Sequence, residues 1–281
     1  MIIDFHTHVM PSYIREERDK YAGADASFAT LYASEKATLA TAEELNDCMD
    51  EDGVDASVVL NIGWTTHKLC AETNDYIIEA TRHYAGRLAG FGAIQPKSPE
   101  AIKEIERLAR AGIYGIGELR PDTQGFDLND DRVMAPVVEA MTHYHLSLLL
   151  HCSEPVGHIY PGKGSVTPDI LYPFISRYPE LKIICAHWGG GLPFYGLMPE
   201  VKQALTNVYF DSAASPFLYN RQIFGLVCEI VGSDHILFGS DYPLLKPKRL
   251  MKEIKSLNLS PETEMQILGG NAMRLLGLPG G

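Results

Sequence analysis

The sequence predicts a (β/α)₈ barrel, in which eight parallel strands alternate with eight helices. Short apolar runs rich in β-branched residues alternate with longer amphipathic stretches along all 281 residues. This alternation is typical of strand–helix units repeated around a parallel sheet. Several of the apolar runs also end in histidine or aspartate, and the carboxyl ends of barrel strands meet at one rim, where catalytic groups of this fold lie.

Each predicted strand is a short run enriched in Val, Ile, Leu or Phe. The predicted strands are 2–6, 56–61, 88–94, 115–119, 146–151, 182–187, 208–211 and 236–241. The segments between them are amphipathic or acidic and are predicted as helices. The predicted helices are 41–51, 71–84, 99–111, 132–144, 168–178, 200–205, 221–230 and 248–257, with an extra helix at 261–276 outside the barrel.

An open, doubly wound sheet is the alternative architecture. Such sheets usually carry a glycine-rich phosphate loop after the first strand, whereas here the first strand is followed by His6-Thr7-His8. The segment 11–40 is too long for an ordinary barrel loop, so we expect it to fold over the barrel mouth. Residues 1–281 are therefore interpreted as one barrel domain.

Composition excludes several classes of partner. The formal net charge is −12, from 36 acidic and 24 basic residues, so the protein should repel nucleic acids and anionic membranes. The amino terminus lacks the pattern of a signal peptide, and no run approaches the roughly 18 apolar residues of a membrane span. Five cysteines without a C-x-x-C pair argue against a disulfide framework. We expect a soluble cytoplasmic protein that acts on a small molecule.

The first strand carries two histidines that could share a metal ion. Alternate side chains of a strand face the same way, so His6 and His8 are expected on one side with Asp4 one layer below. On its own, an H-x-H pair is as often two exposed histidines. The ends of three further strands, at His151, His187 and Asp241, make a shared site at the rim the better interpretation. Nitrogen and oxygen donors suit Zn²⁺, with Mn²⁺ or Fe²⁺ as alternatives.

These residues carry a family resemblance that covers nearly the whole chain. The motifs are the D-x-H-x-H start, the histidine ending the fifth strand, H-W-G-G-G at 187–191, G-S-D-Y-P at 239–243 and G-N-A-x-R-L-L at 270–276. Together they resemble the amidohydrolase superfamily, in particular the branch that includes aminocarboxymuconate semialdehyde decarboxylase-like enzymes. The resemblance implies His6, His8, His151 and Asp241 as metal ligands, His187 as a catalytic residue beside the metal, and a possible homodimer.

Glu118 departs from the pattern of a site with one metal. Gly115-Ile116-Gly117-Glu118 places a carboxylate at the end of the fourth strand, which is similar to the G-E motif of TatD-like hydrolases, where such a glutamate bridges two metals. The site would then hold one or two ions, with His151 and His187 serving the second. The alternative is that Glu118 pairs with Arg120 or another nearby base.

The chemistry expected first is hydrolysis of an amide, ester or lactone by a metal-activated water. Asp241 would act as the general base and His187 would stabilise the oxyanion. The alternative is a nonoxidative decarboxylase or hydratase of a small aromatic or unsaturated carboxylic acid. A catalytically silent barrel is disfavoured because an idle site has no need to hold so many polar groups together.

Three residues are candidates for contacting the substrate. Arg120 lies two residues beyond Glu118 and could grip a substrate carboxylate through parallel hydrogen bonds, although a surface salt bridge is the commoner role of an arginine. His158 and Tyr160 lie in a long glycine-containing loop after the fifth strand, where polar side chains can reach a ligand.

Overall fold

The computed structural model describes residues 1–278, and its eight strands form one parallel sheet in sequential order. The strands are β1 (Ile3–His8), β2 (Ala56–Leu60), β3 (Leu88–Gly92), β4 (Gly115–Leu119), β5 (Ser147–Leu150), β6 (Ile183–Cys185), β7 (Val208–Asp211) and β8 (Ile236–Leu237). The sheet closes on itself, because Phe5 N donates to Phe238 O (2.7 Å) and Asp241 N donates to His6 O (2.9 Å). The predicted (β/α)₈ barrel is confirmed.

Helices connect the strands and surround the barrel. They are α1 (Ser12–Glu16), α2 (Arg18–Ala24), α3 (Ala26–Tyr32), α4 (Ala42–Asp52), α5 (His67–His83), α6 (Ala101–Arg110), α7 (Pro121–Gln124), α8 (Asp131–His143), α9 (Pro168–Arg177), α10 (Ala186–Gly189), α11 (Pro199–Ala204), α12 (Ser215–Leu218), α13 (Ile223–Val231), α14 (Pro247–Lys255), α15 (Pro261–Met265) and α16 (Asn271–Leu276). Short 3₁₀ segments cover Leu192–Leu197, Leu205–Asn207 and Ser233–His235, and a π-helical turn covers Gln266–Gly270. Within residues 1–278, no helix is long and apolar enough to cross a membrane.

Four of the differences between the predicted and the observed elements have local physical reasons. Strand β1 continues to His8, because His8 N donates to Tyr242 O (2.7 Å) and stays in the ladder. Strand β8 ends before Asp241, whose φ of 68° is left-handed and incompatible with a strand. Helix α5 starts earlier than predicted, because the Thr66 side chain caps it by accepting from Leu69 N. The predicted helix 261–276 is divided by the π-helical turn.

Two layers of apolar side chains stabilise the barrel. The layer within the barrel is fully buried and includes Phe5, Val58, Phe91, Leu149 and Ile184. A second and larger apolar cluster fills the space between the strands and the surrounding helices. Because close-packed interiors deform little, the polar side chains at the carboxyl ends of the strands stand on a rigid base.

The segment between β1 and α4 forms the three helices α1 to α3 and packs at the carboxyl-terminal side of the barrel. The rings of Phe28 and Trp64 stack with centroids 5.4 Å apart. Asp25 Oδ2 accepts hydrogen bonds from both the backbone N (2.8 Å) and the hydroxyl (2.6 Å) of Thr65. Ser27 Oγ lies 2.6 Å from Thr123 Oγ1. These contacts fix the segment on the loops that follow β2 and β4, as expected for a cover over the barrel mouth.

Candidate metal centre

Strand β1 brings the rings of His6 and His8 to one point at the barrel mouth. Their Nε2 atoms lie 3.0 Å apart, and both rings are buried. Asp241 Oδ1 lies 3.6 Å from each of these nitrogens. Ring nitrogens this close either share a proton or face the same cation. The predicted pairing of the two histidines with Asp241 is therefore present in the structure.

The second ring nitrogen of three histidines is held by an oxygen acceptor. The acceptors of Nδ1 are Asp211 Oδ2 for His6 (2.8 Å), Leu60 O for His8 (3.3 Å) and Ala213 O for His187 (3.1 Å). An acceptor at Nδ1 fixes the tautomer that has its lone pair on Nε2, which is the usual support for a metal-binding histidine.

Glu118 lies between two pairs of histidines. Its Oε2 is 3.5 Å from His8 Nε2 and 3.8 Å from His6 Nε2. Its Oε1 is 2.9 Å from His151 Nδ1 and 3.4 Å from His187 Nε2. The two oxygens of one buried carboxylate thus face different ligand pairs, which is the arrangement a bridging carboxylate requires. The alternative pairing of Glu118 with Arg120 is not present among the ion pairs of residues 1–278.

A break in the regular pairing of β4 aims Glu118 into the mouth. The register between β4 and β5 shifts between Ile116 and Leu119, and irregularities of this kind commonly redirect side chains beside active sites. Gly117 has a φ of 153°, and a Cβ atom there would lie 2.6 Å from Leu149 O. Only glycine fits this position, so Gly117 determines where the carboxylate of Glu118 points.

The ends of β6 and β8 carry backbone strain. His187, Trp188 and Asp241 have φ angles of 54°, 59° and 68°, which side-chain-bearing residues adopt at an energetic cost that is typically found at functional sites. A Cβ atom on Gly190 would lie 2.2 Å from Ser153 O. The glycine run after His187 is thus the tight exit from the sixth strand that the sequence predicts, and it turns His187 toward Glu118.

Carboxylates dominate the electrostatics of the centre. Burial lowers the pKa of His6, but the charges of Asp211, Glu118 and Asp241 outweigh burial and raise it to about 10. Burial also opposes protonation of His187, yet its hydrogen bond to Glu118 and the charge of Asp241 raise its pKa to about 9. Burial would raise the pKa of Glu118, but the neighbouring histidines hold it well below its usual range. The carboxylates therefore attract positive charge to this point.

The pKa values of the other two histidines, His8 and His151, are lowered. Burial and then the charge of His6 lower the pKa of His8. Burial, together with the charge of Arg120, lowers the pKa of His151 to about 4. Both rings are therefore neutral at pH 7, which is the form that binds a metal.

The donor set fits a divalent cation. Two sets of three side chains each have ligand atoms that lie within 4.8 Å of one another. One set is His6, His8 and Asp241, and the other is His6, Glu118 and His187. His151 belongs to neither set, although its Nδ1 contacts Glu118. Mixed imidazole and carboxylate donors suit Zn²⁺, Fe²⁺ or Mn²⁺.

Asp211, rather than Asp4, contacts the ring of His6. No hydrogen bond joins Asp4 to a histidine ring within residues 1–278, although its Oδ1 accepts from the backbone N of His6 (3.3 Å). Asp4 instead accepts from the Ser240 hydroxyl (2.5 Å) and the Ser240 backbone N (2.8 Å), and burial raises its pKa to about 7. Asp211, which ends β7, makes the contact to His6. Asp211 ends the predicted strand 208–211, and this position at a strand end is the feature of the sequence that could have identified it as a site residue.

The three residues predicted to contact the substrate differ in burial: Arg120 is buried, Tyr160 is half-buried and His158 is exposed. Arg120 is 1% exposed and donates from Nη2 to Gly162 O (2.7 Å), so it is not a surface salt bridge. Tyr160 is half-buried, and its hydroxyl donates to Glu154 Oε2 (3.4 Å). His158 is exposed and packs against the Tyr160 ring, with centroids 5.2 Å apart. The structure does not bring His158 to the metal centre.

Comparisons with known proteins agree with this fold. The sequence profile of the family described as Amidohydrolase matches residues 3–278. A 2-amino-3-carboxymuconate-6-semialdehyde decarboxylase from Dictyostelium discoideum is 23% identical, over 98% of this chain and 91% of that protein.

Solved structures resemble the chain over its full length. A 5-carboxyvanillate decarboxylase from Novosphingobium aromaticivorans, complexed with manganese and 4-hydroxy-3-methoxy-5-nitrobenzoic acid, has a TM-score of 0.78 and 22% identity, over 99% of this chain and 96% of that chain. A dihydroxybenzoic acid decarboxylase from Polaromonas sp. JS666, with bound manganese and the inhibitor 2-nitroresorcinol, has a TM-score of 0.74 and 20% identity, over 99% and 97%. At these identities the likeness concerns the fold.

Proposed function

The chain belongs to the amidohydrolase family, and from this membership we propose that it is a metal-dependent decarboxylase of a small aromatic or unsaturated carboxylic acid. The observation that carries the proposal is the convergence of His6, His8 and Asp241 at the barrel mouth. Hydrolysis is the function expected first from the sequence. The relatives favour the alternative, because the similar proteins with known activities described above are decarboxylases.

We assign one cation to His6, His8, Asp241 and Glu118, and a second position to His151 and His187 across the same glutamate. Manganese is proposed ahead of the zinc expected from the sequence, because two relatives hold manganese and carboxylate donors suit that ion. A divalent cation bound there would polarise a substrate oxygen and orient the acid.

The residues of the chain must then supply a proton. When the carboxylate leaves as CO₂, the electron pair of the broken C–C bond stays on carbon, and that carbon takes up one proton. Asp241 is proposed to deliver it, because its side chain is 15% exposed whereas that of Glu118 is 5% exposed, so Asp241 can be reprotonated from solvent. When the second position holds no cation, Nε2 of His187, 3.4 Å from Glu118 Oε1, is free and is proposed to hold the substrate.

Arg120 and Tyr160 are proposed to contact the substrate. Arg120 is buried, and its charge acts on both His151 and Tyr160. Tyr160 and Glu154 lie on the loop that follows β5, which also contains Gly162, the acceptor for Arg120. His158 is not included, because it is exposed.

Hydrolysis remains a second candidate because of the position of Glu118. Two metals that share a carboxylate clamp a hydroxide well, and the two oxygens of Glu118 face two histidine pairs. In that case Asp241 would act as a general base that accepts a proton, rather than as the acid that delivers one.

An assay with two panels of compounds separates the candidates. The protein is loaded with Mn²⁺ and incubated with hydroxybenzoic acids, including 2,6-dihydroxybenzoate, and separately with aryl esters, anilides and lactones. The proposal expects CO₂ release from at least one acid and little turnover of the second panel. Turnover confined to the esters, amides or lactones would support hydrolysis instead.

A further inference from the structure

Arg120 is a buried cation with few partners. It follows β4, is 1% exposed, and uses Nη2 to donate to Gly162 O (2.7 Å). Within residues 1–278, its Nε and Nη1 atoms have no hydrogen-bond partner. The nearest carboxylate oxygen, Asp122 Oδ1, is 4.0 Å from Nε, which is beyond hydrogen-bond distance. A buried guanidinium is costly unless an anion and further hydrogen bonds satisfy it.

Tyr32 reaches the same region from the segment that covers the barrel mouth. It ends α3, is 9% exposed, and packs on Phe28 with ring centroids 5.2 Å apart. Asp241, Glu118 and Arg120 all act electrostatically on its hydroxyl, and burial with the two carboxylates raises its pKa. The phenol is therefore protonated at neutral pH and can donate a hydrogen bond.

The last turn of α3 packs near Gly162, whose carbonyl oxygen accepts the hydrogen bond from Arg120. Leu31 Cδ2 lies 3.3 Å from the position that a Cβ atom on Gly162 would occupy, and Gly162 O is the acceptor for Arg120 Nη2. The other end of α3 is fixed by the contact of Ser27 with Thr123, one residue before the end of α7. Helix α3, which ends in Tyr32, is thus packed on the two loops that carry Arg120 and its acceptor Gly162.

An arginine is poorly suited to hold the carboxylate that is lost. Decarboxylation moves negative charge from the leaving carboxylate onto carbon, so a guanidinium bound to that group stabilises the bound acid more than the transition state. An arginine that binds an anionic group which keeps its charge carries no such penalty. In this position Arg120 can orient the substrate without slowing the reaction.

We infer that the substrate is a dicarboxylate, and that Arg120 and Tyr32 together bind the carboxylate that is retained. The inference rests on the proposed decarboxylation and adds the substrate class. Arg120 supplies charge and hydrogen bonds, and the Tyr32 hydroxyl supplies a further donor to the same group. Tyr32 thereby gives the covering segment a direct role in substrate selection.

A pair of acids that differ by one carboxylate tests the inference. Salicylate and 4-hydroxyisophthalate, which is salicylate with a carboxylate added para to the hydroxyl, are titrated into the full chain loaded with Mn²⁺, and affinities are measured by calorimetry. We expect the dicarboxylate to bind about 10- to 100-fold more tightly, as charge-assisted hydrogen bonds from arginine would provide. Equal affinities would overturn the inference.

Variants then assign the preference to the two side chains. Arg120→Gln should remove most of the preference for 4-hydroxyisophthalate, because it should weaken binding of the dicarboxylate more than binding of salicylate. Tyr32→Phe should weaken only the dicarboxylate, by about 3- to 10-fold for one lost hydrogen bond. Because Arg120→Gln can disturb folding, Tyr32→Phe provides an independent test. Tyr13→Phe is the matched control, since its hydroxyl donates to Glu72 on the surface (2.9 Å) and should not matter.

The failures of the two proposals are distinguishable, because binding is measured separately from CO₂ release. Release of CO₂ from salicylate without any preference for the dicarboxylate would overturn the dicarboxylate site and leave decarboxylation standing. A preference that survives both Arg120→Gln and Tyr32→Phe would overturn the assignment to these two residues.

Discussion

Glu118 Oε1 lies 2.9 Å from His151 Nδ1, while the other oxygen of the same carboxylate lies 3.5 Å from His8 Nε2. This relationship links the two halves of the metal centre through one side chain. We therefore expect about two ions per chain when the protein is saturated with Mn²⁺, as two-metal sites share bridging ligands.

Glu118→Ala should lower the metal content from about two ions to about one per chain, because the second position then keeps only two imidazoles. Elemental analysis of both proteins after removal of excess metal measures this. Glu100→Ala, a change at an exposed residue that pairs with Lys103, is the control. One ion in both the wild type and the Glu118 variant would show that Glu118 is not a bridging ligand.

Asp211→Asn should weaken Mn²⁺ binding about 10- to 100-fold without unfolding the barrel, because the carboxylate holds His6 in its metal-binding tautomer. Competition with a chelating dye gives the affinity. A matched change at Asp234, which is exposed and distant from His6, should have no effect. An unchanged affinity in Asp211→Asn would mean that the contact with His6 is structural only.

Cation binding should release protons. The surrounding carboxylates raise the pKa of His6 to about 10 despite its burial, so this ring is protonated at pH 7, whereas only the neutral ring binds a metal. A cation must displace that proton. The affinity for Mn²⁺ should therefore fall about tenfold for each unit by which the pH is lowered, for each proton released. Calorimetry in two buffers with different ionisation enthalpies counts the protons. A count of zero at pH 7 would contradict the role of His6.

Asp241→Asn should keep the fold and lose nearly all turnover, because an amide cannot deliver the proton to carbon. Rates of CO₂ release are compared at equal metal content, since Asp241 is also a proposed ligand. If the variant holds the same metal and retains normal rates, the proton comes from another group.

The parts of the centre that could be predicted are those that follow from strand periodicity. His6, His8, His151 and His187 end apolar runs, or follow them directly, and the closed barrel brings such ends together. The contact of Asp211 with His6 could not be predicted, because it joins the ends of β7 and β1, which are 205 residues apart in the sequence. Tyr32 could not be predicted either, since its position depends on how a helical insertion packs over distant loops.

The fate of the carboxylate in D₂O shows whether the protein is a decarboxylase. The Mn²⁺-loaded protein is incubated with hydroxybenzoic acids and hydroxyisophthalates, and the products are examined by NMR before and after treatment with EDTA. We expect an aromatic product that carries one deuterium where the carboxylate was lost, formed only while the metal is present. If all of the acids stay intact in the Mn²⁺-loaded samples, the protein is not a decarboxylase of this class of acid.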